Sequence, residues 1–256
     1  MPPGTPYMAL TATATKSVHS EVIRCLEMEK CVQISLSPDR PNIFYEVSAR
    51  TSIELDLAWL MLSLRDNVQK TPRVIVYCQS LDMCSSLYAN FLSELGDISY
   101  YPAGAAHLSE NRLFGMFHAC TPQHNKDIIL QSLLKSDGVV RVVFATIALG
   151  MGVNLQDVNT IVHYGAPRSI EDYFQESGRG GRSGKNARSV IYWKPSDCKI
   201  RKEPSTPQHE AIAVRQYLEN MSSCRRQWLL KYFLPGLGYE SSRCCDVCSL
   251  KGEESN

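Results

Sequence analysis

No apolar run in the 256 residues approaches the roughly 18 needed to cross a bilayer, and Met1 to Leu10 lacks the basic flank and apolar core of a secretory signal. Both absences point away from membrane and secretion. The expected location is therefore intracellular, in the nucleus if the source is eukaryotic and in the cytoplasm otherwise. An excess of charge is also missing: Lys and Arg total 27 against 26 Asp and Glu, a net charge of +1. No global field then draws nucleic acid or a membrane surface to the chain, and any basic surface must be local. A phosphate loop of the form G-x4-G-K-[ST] is absent as well. Its nearest approach, Gly184-Lys185, has Arg179 where the first glycine is needed and Asn186 where the hydroxyl is needed. No Asp-Glu pair follows an apolar strand to hold Mg²⁺, so half of a nucleoside-triphosphatase site is not found.

Disorder is excluded by composition, since 44% of the chain is hydrophobic and 21% charged. Strand-like and helix-like periods alternate through the middle, which predicts an α/β fold with a parallel sheet. Four core strands are expected, at Arg73 to Cys78, Val139 to Ala145, Asn159 to Tyr164 and Arg188 to Trp193. The intervening helices are expected at Ser80 to Leu95, His124 to Lys135 and Ser169 to Ser177, the last capped by Ser169 with Asp172 three residues on. Residues 98–118, rich in Tyr and Gly without a clean period, read as a long connection holding a short helix. Ahead of the sheet, Tyr7 to Thr11 reads as a strand and Lys16 to Glu27 as a helix that do not obviously belong to it. A linker rich in charge and proline, Pro195 to Pro207, leads to two further helices, Gln208 to Met221 and Arg225 to Phe233.

Ten cysteines are present. Cys25, Cys31, Cys78, Cys84, Cys120 and Cys198 are scattered among apolar neighbours and read as small buried hydrophobes. Cys224, Cys244, Cys245 and Cys248 instead form C-x19-C-C-x2-C, whose CxxC knuckle suits a structural zinc. The competing reading is unliganded surface thiols. Gln175 to Lys185, QESGRGGRSGK, interleaves Gly178, Gly180 and Gly181 with Arg179 and Arg182, so two guanidinium groups project from a backbone able to turn tightly and approach an anion. Such a loop can stabilise charge on a transferred phosphoryl group; by composition alone it is also an ordinary solvated basic loop. From Arg179 to Lys202 stand eight basic residues, including Lys185, Arg188, Arg201 and Lys202, and one acidic, Asp197. That is the local basic surface, and it suits a polyanion.

Taken in order, these motifs resemble the C-terminal part of a RecQ-family DNA helicase over residues 7–250. ALTATAT (Ala9 to Thr15) is similar to helicase motif III and DRPNIFY (Asp39 to Tyr45) to the opening of the second RecA-like domain; VIVYC (Val74 to Cys78) is similar to motif IV. ATIALGMGVN (Ala145 to Asn154) resembles motif V, QESGRGGRSG motif VI, and CRRQWLLKYF with CCDVC the zinc-binding subdomain.

The resemblance implies a RecA-like parallel sheet with flanking helices over 37–195, a small helical zinc-binding subdomain over 196–250, a remnant of a first RecA-like domain over 1–36 and a disordered tail over 251–256. It further implies Arg182 as arginine finger with Arg179 and Gln175 beside it. Gly150, Gly152, Asn154 and Gly178 would lie at ATP and Mg²⁺, and zinc would sit on Cys224, Cys244, Cys245 and Cys248. Thr11, Thr13, Thr146, Lys185, Arg188, Arg201 and Lys202 would face single-stranded DNA or duplex junctions. The expected activity is 3′ to 5′ unwinding driven by ATP, with the first RecA-like domain supplied in cis and this chain inactive alone. Two departures stand out. Ser242 occupies the place three residues before the CxxC pair, where the family usually has cysteine, so Cys244 supplies the thiol; and residues 96–118 form a longer segment than usual. A non-enzymatic DNA-binding module is the rival reading, and a sequence beginning at an internal Met of a longer chain is the third.

Overall fold

The computed structural model describes residues 8–10, 16–28, 31–34, 37–146, 149, 155, 157–198, 208–234 and 244–253. Within them, six strands make one sheet: β1 (Ile43–Ala49), β2 (Arg73–Cys78), β3 (Phe114–Phe117), β4 (Val142–Ala145), β5 (Val158–Tyr164) and β6 (Ala187–Trp193). Their order is β1-β6-β5-β2-β4-β3 and every pairing is parallel. Parallel neighbours require crossovers, so both faces of the sheet are covered by helices, and the inner strands are buried on both sides. All six residues of β2 and all four of β4 are buried.

The helices are α1 (Lys16–Cys25), α2 (Ile53–Asp56), α3 (Ala58–Asn67), α4 (Leu81–Leu95), α5 (Gln123–Leu134), α6 (Ile170–Ser177), α7 (Gln208–Leu218), α8 (Arg225–Phe233) and α9 (Asp246–Glu253). On one face, Leu60 and Leu64 of α3 and Leu87 and Phe91 of α4 pack on Val74, Val76, Phe144 and Val162. The start of α4 follows from Ser80, whose hydroxyl accepts from the Met83 N–H. On the other face, Ile129 and Leu133 of α5 cover β3 and β4, while α6, α7 and α8 cover β6 and β1 with Tyr173, Tyr217 and Phe233. Buried Arg73 on β2 donates to the carbonyls of Ser132, Leu133 and Lys135, closing the C-terminal end of α5.

Two strands exceed the four expected. β1 was hidden because Glu46 and Ser48, on the face opposite Ile43, Tyr45 and Val47, leave it without a continuous apolar run, and β3 because only four residues of strand sit inside the aromatic-rich 98–118 stretch. Residues 8–10 form no strand, and Tyr7 and Thr11 lie outside the described residues. Of the six isolated cysteines, Cys78 and Cys84 are buried as expected, whereas Cys25 and Cys120 are exposed. α9 runs to Glu253, three residues into the stretch expected to be a disordered tail.

Candidate functional site

α6 begins at Ser169, whose hydroxyl accepts from the Asp172 N–H at 3.0 Å. It ends in a glycine-rich turn: the Gly178 N–H donates to Phe174 O and the Gly180 N–H to Ser177 O, each at 3.0 Å, and the Gly181 N–H reaches Val158 O at 2.9 Å. The outward-facing carbonyls of this turn are gathered by a segment 138 or more residues earlier. Arg40 donates to Gly178 O at 3.1 Å, Gly180 O at 3.2 Å and Gly181 O at 2.8 Å. Asn42 donates to Gly181 O at 2.8 Å and Lys185 O at 2.6 Å. Arg40 and Asn42 belong to DRPN, which the sequence marks as a motif without revealing its partners.

On the loop so held, Arg179 is buried while Gln175 and Arg182 are exposed. Desolvation and then the charges of Arg179 and Arg40 lower the Arg182 guanidinium pKa, so three guanidinium groups act on one another across the turn. Beneath them lies a buried group. His163 bonds to the Glu176 carboxylate at 2.8 Å and stacks on Tyr77 with ring centroids 5.3 Å apart. Burial and then Glu176 raise the Tyr77 phenol pKa, while Arg179 and Arg182 pull it down. Concentrated positive charge on a preorganised turn is suited to an anion, whose arrival relieves the repulsion between guanidinium groups.

The remaining expected site residues divide. Gly178 is the residue that ends α6 and lies in the same turn. Thr146 is buried at the end of β4, its N–H donating to Phe117 O at 3.3 Å. Lys185 is exposed and pairs with Asp157 at 3.2 Å. Arg188 is not brought to the arginine loop: it lies over the Trp59 ring, 5.9 Å from the centroid, on the face covered by α3, and grips Glu46 at 2.6 and 2.9 Å. Among the described residues, Arg188 therefore lies apart from Arg179, Arg182 and Lys185. Thr11, Thr13, Gly150, Gly152, Asn154, Arg201 and Lys202 lie outside the described residues.

The second cluster is built at the edge of the sheet. Cys224 immediately precedes α8, Cys244 and Cys245 lead into α9, and Cys248 sits in its first turn. Their four sulfurs all lie within 4.8 Å of one another, with Cys224 and Cys244 Sγ 3.3 Å apart. Zinc bonded to thiolates at about 2.3 Å needs sulfurs on such a tetrahedron, and a soft all-sulfur set favours it. The four residues therefore fit the metal. Burial raises the Cys244 and Cys248 thiol pKa values, and Cys224 followed by burial raises that of Cys245. Adjacent Cys244 and Cys245 are accommodated because the backbone there runs along β1: the Tyr45 N–H donates to Cys244 O at 3.2 Å and the Val47 N–H to Asp246 Oδ2 at 3.0 Å. The free edge of β1 is thereby covered.

Arg225 and Arg226 fasten this unit. Arg225, fully buried, donates to Asp246 Oδ1 at 2.5 Å and Tyr217 O at 3.1 Å. Arg226 reaches Asp39 Oδ1 at 2.7 Å and the carbonyls of Arg40, Pro41 and Ile43. The sequence singled out neither arginine, since both stand in an apolar helix next to a cysteine.

Two family models match the chain. The model of the helicase conserved C-terminal domain matches residues 56–184, and that of the RecQ zinc-binding domain residues 195–249. The chain is similar to the ATP-dependent DNA helicase hus2/rqh1 of Schizosaccharomyces pombe, 30% identical over 96% of this chain and 18% of that protein. It is similar too to the ATP-dependent DNA helicase RecQ of Haemophilus influenzae, 31% identical over 96% of this chain and 37% of that protein. The chain thus spans well under half the length of these relatives. Among solved structures, S. cerevisiae Dbp5 bound to RNA and ADP BeF3 shares the fold, with a TM-score of 0.55 at 14% identity, covering 96% of this chain and 52% of that one. Sheet and cysteine cluster answer to the same relatives, and the chain belongs to the RecQ family of helicases.

Proposed function

We propose that this chain acts as the arginine-finger and DNA-holding part of an ATP-dependent 3′ to 5′ DNA helicase, with a domain boundary near residue 195 and zinc on Cys224, Cys244, Cys245 and Cys248. The observation that carries the reading is the turn at Gly178 to Lys185, fixed by Arg40 and Asn42 with Arg182 exposed on it. Bound ATP with Mg²⁺ supplies the phosphoryl group whose transfer drives movement. Arg182 places positive charge against the developing charge on that group, and Arg179, held beneath, keeps the turn electropositive. Gln175, exposed one turn earlier, orients at the same ligand. The other wall of the ATP site comes from a first RecA-like domain in cis, and Thr146 and Lys185 with residues of the motif V loop face the DNA.

The lack of a phosphate loop in the sequence favours a second reading, a zinc-containing DNA-binding module without turnover. DNA-stimulated ATP hydrolysis separates them, measured on this chain and on this chain joined to a first RecA-like domain from a family member. The expected result is silence from the chain alone and turnover in the joined protein. Arg182→Ala is expected to lower that turnover by a factor on the order of 10³ with DNA binding kept. Equal loss of hydrolysis and binding refutes the finger, and no turnover in the joined protein favours the module.

A further inference from the structure

The zinc cluster and the arginine loop are connected by side chains on both sides of one short segment, residues 39–43. From the zinc side, Arg226, two positions after Cys224 and 1% exposed, takes Asp39 Oδ1 at 2.7 Å, Arg40 O at 2.5 Å, Pro41 O at 3.2 Å and Ile43 O at 2.5 Å. Its guanidinium also lies 5.4 Å from the Tyr45 ring centroid. Arg225 and the Val47 N–H share Asp246, so the start of α8 and the cysteine segment are locked to β1 together. From the loop side, Arg40 takes the carbonyls of Gly178, Gly180 and Gly181, and Asn42 those of Gly181 and Lys185. Pro41, with φ fixed by its ring, stands between the two grips.

We propose that occupancy of the cysteine cluster by zinc sets the geometry of the Gly178 to Lys185 loop, and that Arg226 and Arg40 are the positioning residues that carry the coupling. Zinc fixes the start of α8, Arg226 holds the backbone of 39–43 to it, and Arg40 imposes that position on three carbonyls of the loop. A guanidinium suits this role because its fork of donors serves several acceptors at fixed angles, whereas an ammonium offers a point charge. The mechanical claim stands on hydrogen bonds between described residues; its consequence for catalysis rests on the arginine-finger reading above.

The test is hydrogen–deuterium exchange of the full chain, read by mass spectrometry, with zinc bound and after chelation, in the natural sequence and in Arg40→Lys. Reporter amides are those of Gly181, Gly184 and Ala187, which donate to Val158 O, Gly181 O and Asn42 O. In the natural sequence, zinc removal is expected to speed exchange about tenfold across 178–187 as well as at 244–248, while peptides over 114–134 at the far edge keep their rates. In Arg40→Lys, the loop is expected to exchange fast with or without zinc, while zinc content and protection at 244–248 are retained. A loop indifferent to zinc in the natural sequence, or one that still follows zinc in Arg40→Lys, overturns the proposal. Should chelation open the far edge too, the comparison is made at full zinc with Arg226→Lys. Fast exchange at 178–187 there supports the bridge, and natural protection overturns it. None of these rates depends on ATP turnover, so failure of the finger in the hydrolysis assay and failure of the coupling are separate results.

Discussion

Gly181 and Asn42 approach so closely that a Cβ on the glycine would stand 2.4 Å from the Asn42 side-chain nitrogen, and 2.6 Å from the carbonyl oxygen of Lys185. The glycine also has φ +60°, a conformation that strains any residue bearing a Cβ. Gly181→Ala is therefore expected to lower stability by about 2 kcal/mol, seen as a fall in the urea midpoint with the m-value unchanged. Adding Asn42→Ala should not restore the midpoint, because the second clash is with backbone. A neutral Gly181→Ala would mean that the turn has room to move, and with it the arginines.

Arg226 carries a larger share of stability. Its buried guanidinium satisfies the Asp39 carboxylate and three backbone carbonyls at once, and Arg226→Met leaves all of them without that donor. Removing one partner of such a buried pair costs about 3–5 kcal/mol. Denaturant unfolding of the zinc-loaded protein is the measurement, and a loss under about 1 kcal/mol would place these groups in contact with water, contrary to the geometry.

Purified chain is expected to carry one zinc, by metal analysis, with Cys224, Cys244, Cys245 and Cys248 each required. Cys244→Ala is the decisive variant, because its thiol stands where the family's usual spacing does not put one. Full zinc in Cys244→Ala would remove it from the set. Chelation is expected to lower Tm by about 10 °C, since metal binding to the folded chain alone contributes folding free energy and the cluster covers the edge of β1.

Much of this architecture was readable from local signals. RVIVYC reads as a buried strand because apolar, β-branched and aromatic residues follow Arg73 without interruption, and Ser80 and Ser169 announce helix starts by capping chemistry visible over four residues. The cysteine cluster was legible from its CxxC spacing. What was not legible is long-range. Arg40 reading the carbonyls of Gly178, Gly180 and Gly181 has no local signature, and nothing local in CRRQWLLKYF points Arg225 and Arg226 to partners 21 and 187 residues away. Within the basic run from Arg179 to Lys202, the face taken by each residue was not legible either. Density of charge in sequence says nothing of which face a strand residue takes, and alternation along β6 puts Arg188 with Val190 and Tyr192, against α3.

That placement yields a contrast between two basic residues three positions apart. Lys185 is exposed beside the arginine loop, paired with Asp157 across solvent, an arrangement that contributes little to stability. Arg188 makes two hydrogen bonds to Glu46 and lies over Trp59, binding β6 to β1 and α3. On the proposed reading, Lys185→Ala should weaken single-stranded DNA binding at low salt and reduce the slope of log affinity against log salt by about 1, with the unfolding midpoint unchanged. Arg188→Ala should leave that slope intact and lower stability by about 1 kcal/mol through the lost charge-assisted pair and ring contact. Fluorescence anisotropy over a salt series, run beside urea unfolding, reads both. A reduced salt slope in Arg188→Ala would put DNA on the α3 face of the sheet and displace the arginine loop from the nucleic-acid path.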